Sequence, residues 1–171
     1  MKLEMKKGID ILSNLGSVAS VEEARNIFEK KCDSDNLKKI STIKNKEALL
    51  KIANAIALFQ PDSVWFNTCS KEDLQTARDG ALENGEEFKI KLDGHTCHYD
   101  LPEDQARLVK QTYYIYNEGE DISSLALKQE RSEAKVYIKE HMTGIMKGKK
   151  MLVSIWSRGP IGAKASIPAI M

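Results

Sequence analysis

The sequence predicts an α/β protein, a mixed sheet flanked by helices and preceded by a helical N-terminal region. Three observations carry that expectation. Residues 1–58 place apolar side chains at helical spacing. Beyond residue 62, short runs of β-branched and aromatic residues alternate with helix-patterned stretches, the order expected of an α/β fold. The composition, 42% hydrophobic and 30% charged over 171 residues, is that of a globular protein with enough apolar side chain for a core. It lacks the low hydrophobicity and strong net charge of a disordered chain.

Taken in order, Val21, Ala24, Ile27 and Phe28 recur at helix spacing after a capping residue, Ser20. Over residues 45–59, Leu49, Leu50, Ile52, Ala53, Ile56 and Ala57 form a wide apolar face. Pro61 blocks that helix, and Gln60 before it should leave the helical region. Residues 63–68 read as a short strand. Ser70 caps the next helix with Asp73 three residues on, as in a capping box, and Leu74, Ala77, Ala81 and Leu82 line one side of it. Gly85 stands where a left-handed residue closes a helix. Residues 87–92 alternate as a half-buried strand with Phe88, Ile90 and Leu92 on one face, and residues 110–116 read as a tyrosine-rich strand. Asn117, Gly119 and Asp121 mark a turn. A long helix is predicted over residues 132–147, ended by Gly148, then a strand over 151–156, a turn at 158–162 and an extended segment from Ser166. Residues 1–44 form a helical N-terminal extension and residues 45–171 the α/β domain.

Twenty-six basic and 25 acidic residues leave a net charge of +1, so no nucleic-acid partner is expected. Lys147, Lys149 and Lys150 suit the end of a helix, where cations complement the dipole. Cys32, Cys69 and Cys97 are odd in number and widely spaced, which points to a reducing cytoplasm and against a disulfide framework. No apolar run approaches 18 residues, and residues 1–7 have no apolar core of a secretory signal, so neither membrane span nor signal is expected. The last residues, Ser166 to Met171, are apolar and uncharged, which predicts further chain beyond them.

Four segments carry a resemblance. They are Leu58-Phe59-Gln60-Pro61-Asp62-Ser63-Val64 with the later Ser70-Lys71-Glu72-Asp73, and Leu101-Pro102-Glu103-Asp104-Gln105-Ala106-Arg107. The others are Ile145-Met146-Lys147-Gly148-Lys149-Lys150-Met151 and Arg158-Gly159-Pro160-Ile161-Gly162. In this order they resemble the N-terminal domain of the GTP-dependent phosphoenolpyruvate carboxykinases, with Leu101 in place of the family's first aspartate. The match covers about residues 45–171. The resemblance implies conversion of oxaloacetate and GTP to phosphoenolpyruvate, GDP and CO2, with manganese or magnesium. It places the phosphate loop and metal site later in the family's chain. No GxxxxGK[ST] pattern occurs here, so the chain is expected to hold no cofactor and to be inactive alone. One implied substrate residue falls within it: Arg107, matching the arginine that binds the substrate carboxylate. A guanidinium fork suits that task. By spacing alone, Arg107 would pair with Glu103 or Asp104 one turn earlier.

Other constellations have plainer readings. His95, Cys97, His98 and Asp100 are zinc-ligand types, yet strand alternation would point His95 and Cys97 one way and His98 and Asp100 the other. Cys97 as a nucleophile would need a placed base. The Arg158–Gly162 stretch could cradle an anion, but Pro160 removes an N–H, so a tight turn between strands is expected. Tyr113, Tyr114 and Tyr116 have no basic groove beside them. A second function class is a stand-alone binding or oligomerisation module, self-associating through the apolar edge near Ile167 to Met171.

Overall fold

The computed structural model describes residues 11–101, 108–125 and 127–171. These residues form an α/β fold. In chain order the elements are α1 (Ile11–Gly16), α2 (Val21–Lys31), α3 (Ser34–Ser41), α4 (Lys46–Phe59), β1 (Ser63–Asn67) and α5 (Lys71–Glu83). There follow β2 (Phe88–Lys89), β3 (Thr96–Cys97), a 3₁₀ turn (Val109–Gln111), β4 (Tyr114–Tyr116) and β5 (Lys128–Glu130). The last are α6 (Arg131–Met142), β6 (Lys150–Arg158) and β7 (Ile167–Ile170). They divide into two compact units, one of residues 11–68 with 135–171, the other of residues 69–134.

The first unit is built on a three-stranded sheet in the order β1-β6-β7. β1 and β6 are parallel, with Val64 opposite Met151 and Phe66 opposite Val153. β7 runs antiparallel to β6, with Arg158 opposite Ile167 and Ile155 opposite Ile170. Val64, Phe66, Met151 and Val153 share one face and pack with Phe28 of α2, Ile40 of α3 and Ile52, Ala53 and Ile56 of α4. The opposite face carries Trp65, Leu152 and Trp156; Leu152 and Trp156 are exposed, while Ser154 between them is buried with a hydroxyl that has no hydrogen-bond partner.

Three buried or edge contacts explain why the helices sit where they do. Asn54, fully buried, accepts from Val18 N–H (2.8 Å) and donates to Val18 O (3.0 Å) and Leu50 O (2.8 Å). It thereby fixes the link between α1 and α2 onto α4. Gly16 is a glycine for close approach: a Cβ there would lie 2.5 Å from Asn54 O. The outer edge of β1 is closed by side chains, since Asn36 Oδ1 accepts from Phe66 N–H (2.7 Å) and Lys39 Nζ donates to Phe66 O (3.0 Å). An edge satisfied in this way offers little to a further strand.

The helix starts follow the sequence signals. Ser20 Oγ accepts from Glu23 N–H while the Glu23 carboxylate accepts from the Ala19 and Ser20 amides, a complete capping box that holds the Glu23 carboxyl below its ordinary value. Asn45 caps α4 through Glu47 and Ala48 N–H, and Ser70 caps α5 through Asp73 N–H. Gln60 leaves the helix, as Pro61 requires, but it does so in the left-handed region (φ 54°, ψ 50°) with its N–H returned to Ile56 O. The helix expected over 132–147 stops at Met142, because Gly144 adopts φ 70° and the following residues turn. Lys147, Lys149 and Lys150 therefore lie beyond the helix and are exposed.

The second unit has two small ribbons. β2 pairs antiparallel with β3 through Phe88–Cys97 and Lys89–Thr96, and β4 pairs parallel with β5 from Tyr114–Lys128 to Tyr116–Glu130. The strands expected over 87–92 and 110–116 thus shrink to two and three residues, and β5 is a strand that the sequence did not announce.

Candidate functional site

The residue with an expected substrate role, Arg107, lies outside the described residues, as do Glu103 and Asp104, its alternative partners. The chain on either side is described. Leu101 is exposed, and after it Leu108 O accepts from Gln111 N–H (2.8 Å) and Thr112 Oγ1 (3.0 Å), which closes the 3₁₀ turn leading into β4. Tyr113 and Tyr114 are exposed beyond that turn. Gly119 adopts φ 84° in the expected turn, where Glu120 N–H donates to Asn117 O, and Arg131 donates to the Asn117 amide oxygen (2.8 Å).

The His95 to Asp100 segment does not assemble a chemical centre. His98 Nε2 lies 3.4 Å from Asp100 Oδ1, both largely exposed, while His95 Nδ1 is 3.0 Å from Asp93 O. Cys97 Sγ lies 3.7 Å from His98 O, a backbone carbonyl and not an imidazole nitrogen. Phe88 and Tyr99 stack at 5.5 Å between ring centroids. Among the described residues no group of three His, Cys, Asp or Glu side chains is placed to hold a metal ion. Cys32 is half-buried, and burial, helped by the neighbouring Asp33 charge, pushes its thiol up to about 11, away from thiolate chemistry at neutral pH.

The Arg158–Gly162 stretch belongs to a longer connection than a tight turn, spanning residues 159–166 between β6 and β7. Two of its amides are used internally: Ala163 N–H donates to Pro160 O and Ser166 N–H to Ala163 O, while Ser166 Oγ also donates to Pro160 O. Gly159 and Gly162 take φ 106° and 84°. Pro160 has no N–H, and the Ala163 and Ser166 amides are already paired within the loop, which leaves it fewer donors for an anion.

The first and third family-like segments meet in space, a pairing that their separation of 86 residues hid from the sequence. Asp62 Oδ1 accepts from Gly148 N–H (3.0 Å) while Asp62 N–H donates to Lys149 O (2.9 Å). Gly144 and Met146 donate to Leu58 O and Phe59 O, two carbonyls at the end of α4. A helix end normally leaves its last carbonyls without partners, so the Gly144–Met146 turn acts as a C-cap supplied from far along the chain, and the Gly148–Lys149 pairing with Asp62 follows it. It also aligns the starts of β1 and β6. Asp62→Ala is expected to lower stability by about 1 kcal/mol, since it removes one charge-assisted but exposed bond and leaves the backbone bond in place. Urea unfolding followed by tryptophan fluorescence measures this; an unchanged midpoint would show that the clamp has no energetic role.

An α/β fold whose sequence carries these four segments in succession defines the class as a carboxykinase-type N-terminal domain. The family model described as "Phosphoenolpyruvate carboxykinase N-terminal domain" matches residues 51–171, and the chain belongs to that family. It is 36% identical over 143 residues to the phosphoenolpyruvate carboxykinase [GTP] of Thermococcus kodakarensis, covering 84% of this chain and 23% of that protein. It is 35% identical over 143 residues to the Thermococcus sibiricus enzyme of the same name, with the same coverage. To that of Pyrococcus furiosus it is 33% identical over 150 residues, covering 88% of this chain and 24% of the relative. The chain therefore spans about a quarter of the length of the curated relatives it matches. No helix among the described residues is long and apolar enough to cross a membrane.

Proposed function

We propose that this chain supplies one wall of the substrate site of a GTP-dependent phosphoenolpyruvate carboxykinase, with Arg107 as the clamp on the substrate carboxylate. The observation that carries the reading is the family match over residues 51–171, which includes the Gln105-Ala106-Arg107 segment, together with relatives that are themselves named phosphoenolpyruvate carboxykinase [GTP]. In this reading the complete enzyme converts oxaloacetate and GTP to phosphoenolpyruvate, GDP and CO2 in the cytoplasm. The nucleotide and the manganese or magnesium ion are held by other parts of a longer chain. The sequence offers no phosphate-loop pattern, and its described acidic, histidine and cysteine side chains do not converge. By itself the chain binds the carboxylate end of the substrate and turns nothing over.

Arg107 contributes through geometry as well as charge. Its planar guanidinium can donate two parallel N–H bonds to one carboxylate, which fixes the direction in which the rest of the substrate points. Lysine keeps the charge and loses that fork. In a full-length carboxykinase carrying this segment, Arg107→Lys is expected to lower kcat/KM for oxaloacetate about 10- to 100-fold, as the loss of a charged hydrogen bond worth about 1.5–3 kcal/mol implies. If KM and kcat both stay at the parent values, Arg107 is not the clamp.

A further inference from the structure

We infer that the described residues 69–101, 108–125 and 127–134 form a compliant insertion, which opens and recloses at a free energy well below that needed to unfold the helix-and-sheet unit of residues 11–68 and 135–171. The distribution of buried apolar side chains points to this. Among the described residues, 15 apolar side chains are buried, Pro61 included, and 14 of them lie in the unit of residues 11–68 and 135–171; Ala134, the fifteenth, is at the far boundary of the insertion. Every residue of the hydrophobic cluster, from Val18 to Val153, belongs to that first unit. Burial of apolar surface is the main force holding a fold together. The insertion has little of it.

What the insertion has in place of a core is local structure. α5 is a 13-residue helix with a proper cap, but helices of that length are marginal in water without packing. Its buried side chain is Asp73, and Leu74, first of the apolar stripe, is 42% exposed. β2–β3 and β4–β5 are ribbons of two and three residue pairs, and isolated two-stranded ribbons are marginally stable at best. Phe88, Leu92, Tyr99, Tyr114 and Leu125 are all exposed here, Leu125 almost completely. The first unit, by contrast, closes on itself although it is made of two chain segments. The β1–β6 ladder joins them, and the Asp62–Gly148 clamp and the caps on α4 lock the joint. Contacts within the first unit thus join its two chain segments directly. Segments that open at low cost are where proteins place ligand-responsive parts.

Hydrogen exchange on the whole chain tests this. After correction for intrinsic rates, amides of α5 and β2 to β5 should exchange on the order of a hundredfold faster than those of α2, α4, β1 and β6. Equal protection in the two sets would overturn the inference. A substitution gives an independent arm. Trp65 and Trp156, the two tryptophans, both lie in the first unit, so their fluorescence follows its unfolding alone. Ile115→Asp in β4 should leave the tryptophan-reported urea midpoint where it was. A drop comparable to that of Val153→Ala would show that the insertion supports the core, and the inference would fail.

Discussion

Asn54→Ala is expected to remove about 2–5 kcal/mol of stability, a large part of the roughly 5–15 kcal/mol that a domain possesses. The reasoning starts from the three bonds of this side chain. Its amide is fully buried and pairs with both the N–H and the C=O of Val18, at 2.8 and 3.0 Å. Removing it leaves two buried backbone groups without partners, each costing about 1–3 kcal/mol. The higher helix propensity of alanine returns only a few tenths of a kcal/mol. No neighbouring side chain is an obvious substitute, because Gly16 brings the preceding chain almost onto the Asn54 backbone. Urea unfolding should show a lower midpoint with an unchanged slope, the mark of lost native stability. A loss below about 1 kcal/mol would mean that water or a backbone shift re-satisfies Val18.

Phe28→Ala should cost about 3–5 kcal/mol, the range for deleting a buried aromatic ring. Phe28 is 2% exposed and meets Phe66 of β1 edge-on, with centroids 6.4 Å apart and planes at 88°. That contact ties α2 directly to the sheet. One side of Phe28 borders a cleft of about 220 Å³ lined by Leu37, Ile40 and Leu49, so part of its surroundings is already open and the cost should fall toward the lower end. A double-mutant cycle with Phe66→Leu isolates the ring pair, whose coupling should be about 0.5–1.5 kcal/mol. Zero coupling, with both single variants destabilised, would mean that the rings contribute area and no specific geometry.

Much of the first unit was legible from the sequence because its signals are local. Ser20 and Ser70 are expected to cap helices, and each accepts the N–H of the residue three positions on, Glu23 and Asp73; the Asn45 cap and the Glu23 half of the capping box lie outside that expectation. The apolar runs at 63–68 and 151–156 became the paired strands β1 and β6; burial alternates along β1, but in β6 Val153 and Ser154 are both buried and the strand is exposed from Ile155 on. The second unit was harder. Alternation over 87–92 predicts a half-buried strand only if a core exists to bury Phe88, Ile90 and Leu92, and all three remain exposed. The apolar repeat that predicts a helix over 132–147 continues past Gly144, but the positive φ of Gly144 ends the helix at Met142 despite that repeat. Of the site residues, the resemblance singled out Arg107 from its motif, while its position lies outside the described residues.

By itself, then, the sequence determined the family, the α/β class, and the beginnings of α2, α4 and α5. Each is written in residues a few positions apart, where one side chain meets its own neighbouring backbone. The tertiary structure decided which distant pieces complete one another. Asn54 reaches Val18 across 36 positions, Asn36 reaches Phe66 across 30, and Asp62 reaches Gly148 across 86. Such pairings satisfy backbone groups that no local residue can reach. Their partners become identifiable only once the chain has closed on itself.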